Sequence, residues 1–255
     1  MKFQINGNEI LEDIELIIFD KDGVLVDLDH YWCEMLKLRG KVLTEKFFKS
    51  HDQNFHFKEL IFTMGIDRNN PTALDKNGPI GSKPRSYVAN LAHQYLLQQG
   101  VHLKSDDVEE AFKQADTLSL ENFSSLLKSP IGVADFIAQA HARGLKMAIA
   151  TSDISERAMI SMRALGLENY FSLFIGSDCV KNCKPHPESI EIILNKLNID
   201  RTRAMMIGDH LVDMEMAKKA NLKYRIAVQT GVPLSEEAKK AATHIIPDLS
   251  FLRSN

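Results

Sequence analysis

Leu16-Ile17-Ile18-Phe19-Asp20-Lys21-Asp22-Gly23 is the stretch that decides the fold of this 255-residue chain. The apolar run reads as a short buried strand, and Gly23 stops it with a turn. Side chains alternate along an extended chain, so Asp20 and Asp22 leave the strand's carboxyl end facing the same way. Two carboxylates that close repel each other. A divalent cation relieves the repulsion, and an all-oxygen ligand set favours Mg2+. A cation-held pair of aspartates also suits covalent phosphoryl transfer, one Asp acting as nucleophile and the other as general acid and base. The plain alternative is an ordinary Asp-Gly turn with a solvated carboxylate.

Further segments downstream add to the pattern. Met147-Ala148-Ile149-Ala150 is a second apolar strand and ends in Thr151-Ser152-Asp153. Lys184-Pro185 follows the strand Leu173-Phe174-Ile175-Gly176 after a loop. Met205-Met206-Ile207 ends in Gly208-Asp209, with Asp213 one helical turn on. Each polar residue falls just past the carboxyl end of an expected parallel strand, where open α/β sheets place their ligand sites. Taken singly, each has an ordinary structural role. Thr151 would cap a helix, Lys184 would be a solvated loop charge, and Asp209 and Asp213 would be helix-start acids favoured by the dipole.

In this order and on this scaffold, the set resembles the haloacid dehalogenase superfamily of hydrolases. Asp20-Lys21-Asp22-Gly23-Val24-Leu25 matches the family's first motif, Thr151 the second, Lys184 the third, and Gly208-Asp209 with Asp213 the fourth. Gly144-Leu145-Lys146 and Lys184-Pro185-His186-Pro187-Glu188 also resemble the phosphoglycolate phosphatase-like branch. The resemblance implies an α/β fold, a doubly wound parallel sheet of Rossmann-like type with a helical cap inserted after the first strand. It implies a Mg2+-dependent phosphatase acting on a small phosphorylated metabolite through an aspartyl phosphate. Asp20 would be the nucleophile and Asp22 the acid and base. Mg2+ would be held by the Asp20 and Asp209 carboxylates and the Asp22 backbone carbonyl, with Asp213 orienting from behind. Thr151 and the N–H groups of Ser152 and Asp153 would hold phosphate oxygens, Lys184 would offset their charge, and the turn at Gly23 would let the backbone approach closely.

Other branches differ by residue. The dehalogenating branch has an aromatic residue where Asp22 stands, and the phosphonate-cleaving branch a small apolar one. The sugar phosphomutase branch keeps both aspartates but carries a cap-linker histidine where this chain has Trp32, which ranks hydrolase above mutase. A non-catalytic phospholigand-binding module remains the alternative from a different class. The motifs do not choose among a carboxylate-bearing phosphate, a sugar phosphate and a nucleotide monophosphate.

By pattern the chain divides in three. Residues 1–27 carry a short lead-in around Ile5-Asn6-Gly7-Asn8, read as an extra hairpin arm, and then the first strand. Residues 28–128 show only helical faces, among them Tyr31, Met35, Leu38, Val42 and Phe47; Tyr87, Leu91, Tyr95 and Leu96; and Val108, Phe112, Ala115 and Leu118. Residues 129–255 alternate helix and strand, with helices near 133–143, 156–165, 188–197 and 212–220 between strands near 146–150, 173–176, 204–207 and 224–228. The insertion at 28–128 is expected to act as a cap over Asp20, with length to spare for an extra helix. Lys83 and Arg85, in Gly81-Ser82-Lys83-Pro84-Arg85, are its candidates for contacting an anionic substrate tail, against a solvated loop. His210 either touches substrate or packs at a helix start, and His51 and His56 are expected to be solvated.

A net charge of −3 gives no reason to expect nucleic-acid or anionic-membrane binding. No apolar stretch is long enough to span a bilayer, and no basic-then-apolar run opens the chain. Cys33, Cys179 and Cys183 lack a CxxC spacing and read as reduced thiols of a cytoplasmic protein. Nothing points to an obligate assembly, so a monomer or weak dimer is expected.

Overall fold

Burial of all of Leu16–Phe19 follows from its place in the middle of a six-stranded sheet. The computed structural model describes residues 2–5, 7, 9–49, 52–80, 83–104, 106–121 and 123–254. Of the positions singled out above, Asn6, Asn8, His51, Gly81 and Ser82 lie outside the described residues. In chain order come β1 (Phe3–Ile5), β2 (Glu9–Leu11), β3 (Leu16–Phe19), α1 (Leu28–Phe47), α2 (Gln53–Met64), α3 (Arg85–Gln98) and α4 (Asp107–Glu121). Then follow α5 (Val133–Ala142), β4 (Lys146–Ala150), α6 (Ser155–Ala164), β5 (Leu173–Ile175), α7 (Glu188–Leu197) and β6 (Ala204–Gly208). The chain ends with α8 (Leu211–Lys219), β7 (Tyr224–Val228), α9 (Glu236–Ala241), β8 (His244–Ile246) and β9 (Leu252–Ser254). It separates into two compact units, residues 1–27 with 127–255, and Leu28–Leu126.

In the first unit the large sheet runs β5-β4-β3-β6-β7-β8, with every pairing parallel. One face packs Ile18, Ala148 and Met206 against Ile190 and Ile193 of α7 and Met216 and Ala217 of α8. On the other face Phe19 meets the rings of Phe136 from α5 and Phe171. Helices therefore cover both faces, which is why β3, β4 and β6 are apolar along nearly their whole length. Phe19 pairs in register with both Ile149 and Ile207, so the three strands end level. That register delivers Asp20, Thr151 and Asp209 to one edge of the sheet. A second, antiparallel sheet of order β2-β1-β9 joins the two ends of the chain. The lead-in hairpin arm is thus one part of a three-stranded element.

The second unit contains α1, α2, α3 and α4, packed around Leu36, Leu43, Leu60, Met64, Ala92, Leu96, Phe112 and Ala115. The spacing of apolar residues marks α1, α3 and α4; α2 comes in addition. It lies so close to α1 that a Cβ on Gly40 would come within 2.6 Å of Ile61 Cγ2. Among the described residues, β pairing in this unit is limited to the single bridge Ile66↔Leu74. His56 is not merely solvated as expected. Its ring stacks on Phe48 at 3.7 Å, and its Nδ1 lies 2.9 Å from the Tyr95 hydroxyl. Among the described residues, no helix is long and apolar enough to cross a membrane. Cys33 is buried, Cys179 and Cys183 are exposed, and none of the three forms a disulfide.

Candidate active site

Asp20 is the first residue past β3, and its N–H donates to the Ile207 carbonyl at 2.9 Å, which fixes it at the sheet edge. Lys184 reaches it from the loop before α7. The Lys184 ammonium donates to Asp20 Oδ1 at 2.7 Å and to Asp213 Oδ1 at 2.6 Å, and its side chain is 3% exposed. Asp213 Oδ2 accepts the N–H of His210 at 3.1 Å, so both Asp213 oxygens are in use. Asp209 Oδ2 accepts the Val232 N–H at 3.0 Å.

Glycines make room for this packing. Gly23 has a φ of +80°, and a Cβ there would come within 2.3 Å of Asp209 Oδ2. A Cβ on Gly231 would come within 1.9 Å of the same atom. The loop after β7 thus closes the site: besides Gly231 and Val232, it supplies Thr230, whose hydroxyl donates to the Gly23 carbonyl at 2.6 Å.

Burial sets the electrostatics. It pushes the Asp20 carboxyl above the usual carboxylate range; the Lys184 ammonium pulls it back, and Asp213, Asp209 and Asp22 push it further up. Burial works against the Lys184 ammonium, but Asp20 and Asp213 more than offset it, so Lys184 stays charged. Asp209 is raised to about 6, chiefly by burial, with the Val232 N–H opposing and Asp213 adding to the rise.

Carboxylate oxygens of Asp20, Asp209 and Asp213 lie within 4.8 Å of one another. Three acids against the single ammonium of Lys184 leave an excess of buried negative charge. Hard oxygen donors in that arrangement fit a divalent cation. Since both oxygens of Asp213 are committed, Asp20 and Asp209 are the better placed ligands.

The loop after β4 brings Thr151 to the same edge, buried, with its Oγ1 accepting the Asp153 N–H at 3.1 Å. A hydroxyl that accepts from the backbone still has its own proton to donate to an anion. Sequence reasoning assigned no role to Lys21. Its Nζ lies 3.0 Å from Asp22 Oδ1 and 3.0 Å from Asp153 Oδ2. Burial lowers the proton affinity of this ammonium, but the two aspartates more than make up the loss. The loop Gln229-Thr230-Gly231-Val232 was equally missed, although polar residues after an apolar strand were its signal.

His210 caps α8: its Nδ1 accepts the Val212 N–H at 3.4 Å, and its own N–H goes to Asp213. His186 likewise serves a turn, its Nδ1 accepting from Glu188 N–H at 3.3 Å. In the helical unit, Arg85 bonds Glu109 at 3.0 Å and also Asp116. Lys83 is exposed, its ammonium 5.8 Å from the Tyr87 ring centre.

Comparison with known proteins is consistent with this geometry. The family model of haloacid dehalogenase-like hydrolases matches residues 14–221. A phosphorylated carbohydrates phosphatase of Thermotoga maritima is 28% identical over 211 residues, covering 82% of this chain and 83% of that protein. The pyrophosphatase PpaX of Halalkalibacterium halodurans is 35% identical over 174 residues, covering 60% of this chain and 81% of that protein. Among solved structures, a Thermotoga maritima protein provisionally named a β-phosphoglucomutase superposes with a TM-score of 0.64 at 23% identity, covering 93% of this chain and 96% of that one. At that identity the likeness is one of fold.

Proposed function

The chain belongs to the haloacid dehalogenase-like hydrolases, and we propose that it is a Mg2+-dependent phosphatase that cleaves small phosphate monoesters through an aspartyl phosphate on Asp20. The observation that carries this is Asp20 held by buried Lys184 at the end of β3, with Asp22 two positions on and 42% exposed at its side chain. A relative named for phosphorylated carbohydrates supports the substrate class.

Thr151 and the backbone of the loop after β4 grip the non-bridging phosphate oxygens, and Lys184 offsets the charge gathered there. The Asp20 carboxylate attacks phosphorus as the bond to the ester oxygen breaks, and Asp22 gives that oxygen its proton. In the second half-reaction water attacks the same phosphorus. Asp22 takes its proton, the phosphorus–Asp20 bond breaks, and inorganic phosphate leaves. Asp20, Asp209 and the Asp22 carbonyl would hold Mg2+, which would supply positive charge to offset that of the phosphate. The helical unit would serve as the cap that excludes water and reads the rest of the substrate. Lys83 is its better candidate contact, because Arg85 is already engaged by Glu109 and Asp116.

The test is phosphate release from a panel of sugar phosphates, carboxylate-bearing phosphates, nucleotides and pyrophosphate with Mg2+, comparing wild type with Asp20→Asn. Release that vanishes in the variant is the expected result. No release, with conversion of a sugar phosphate in the presence of a bisphosphate primer, would establish the mutase instead.

A further inference from the structure

Lys21 stands where a lysine is costly to place. Its side chain is 6% exposed, and an ammonium is kept that dry only when it is paired. Its two partners come from different loops: Asp22 follows β3 and Asp153 follows β4. The residue is also pinned through its backbone, since its carbonyl accepts the N–H groups of Leu25 at 2.9 Å and Val26 at 3.0 Å. Asp153 is held as firmly. Its Oδ1 accepts the Ile154 N–H at 2.8 Å, its N–H goes to Thr151 Oγ1 at 3.1 Å, and its carbonyl accepts the Ser177 N–H at 2.9 Å. A continuous set of bonds therefore runs from Asp22 through Lys21 and Asp153 to Thr151.

We propose that Lys21 is the positioning residue for Asp22, fixing the acid's carboxyl relative to the loop that grips the phosphate. The assignment rests on the phosphatase reading given above. Proton transfer to a leaving oxygen tolerates little misplacement, and the half-exposed Asp22 side chain has its rotamer held by this ammonium. A lysine that only offset phosphate charge would instead help every ester alike.

Leaving groups separate the two roles. Phenolate, with a pKa about that of tyrosine, departs best when protonated. The 4-nitrophenolate ion departs with far less help. Lys21→Met and Lys21→Gln are compared with wild type on phenyl phosphate and 4-nitrophenyl phosphate, at one pH and saturating Mg2+, reading kcat/KM. In both variants the loss on phenyl phosphate is expected to exceed that on 4-nitrophenyl phosphate by about ten-fold, and Lys21→Arg to restore most of it. Equal losses on the two esters, or none, overturn the assignment and leave the phosphatase standing. If wild type cleaves only metabolites of the panel, the variants are read on the best of these. There a loss in Lys21→Met about ten times that in Lys21→Arg is expected, and equal losses overturn the assignment. A wild type that cleaves no ester overturns this assignment and the phosphatase reading together.

Discussion

Asp20 carries two opposed demands. As a nucleophile it must be ionised, yet burial and the neighbouring acids push its carboxyl up. Asparagine keeps the shape and removes the charge. Asp20→Asn is therefore expected to lower phosphate release by at least about 1000-fold while leaving the melting temperature in chelator unchanged or higher. Retained turnover would dismiss Asp20 as the nucleophile. Gly23 is constrained differently. Its φ of +80° and the 2.3 Å separation of a built Cβ from Asp209 Oδ2 leave no space for a methyl group. Gly23→Ala should cost about 1–3 kcal/mol and weaken Mg2+ binding, as read by melting temperature and titration calorimetry. Unchanged stability would show that the turn relaxes. Asp20, Thr151 and Asp209 stood out because each is polar and directly follows an apolar strand. Lys21 did not, because its meaning lies in Asp153, 132 residues away in sequence and 3.0 Å away in space.

Elements were legible in proportion to how much pattern they carry. Strands β3, β4, β6 and β7 stand out because burial on both faces writes them as runs of apolar residues. The helices between them follow from the period of their apolar residues. β8 and β9 were missed because, unlike the equally short but wholly apolar Leu173-Phe174-Ile175 of β5, their three residues include His244 and Arg253-Ser254, which break the apolar run. β9 forms only because β1, from the other end of the chain, pairs with it. α2 escaped notice because its apolar residues do not keep to one face: Leu60 and Met64 are buried while Phe55 is 59% exposed. The consequence of β3's central position can be measured. Ile18 is fully buried between the sheet and the α7–α8 face. Ile18→Ala should destabilise the protein by about 2–5 kcal/mol in denaturant titration. A loss well under that range would mean the sheet collapses around the gap without strain.

At the scale of the whole molecule the chain forms two compact units, and between the first strand and the βα alternation its sequence carries only helical faces. The structure puts the helical unit at Leu28–Leu126. A net charge of −3 is modest, so stability turns less on overall charge than on acids concentrated at one sheet edge. Asp209 makes the point. Its carboxyl rises from 3.8 to about 6, so the folded protein holds this proton more tightly than the unfolded chain does. The corresponding stability is fully present below the unfolded value and is lost as pH rises through the folded value. Two pKa units amount to about 3 kcal/mol, which the cation-free protein forgoes at about pH 7.5. A cation needs the ionised form, so protons compete with it at low pH. Millimolar Mg2+ should therefore raise the melting temperature more at about pH 7.5 than at about pH 5. In Asp209→Asn the Mg2+ effect should be small at both values, and in chelator its melting temperature should fall less steeply with rising pH than that of wild type. An equal Mg2+ effect in wild type at the two pH values, or an undiminished effect in the variant, would place the cation away from Asp209.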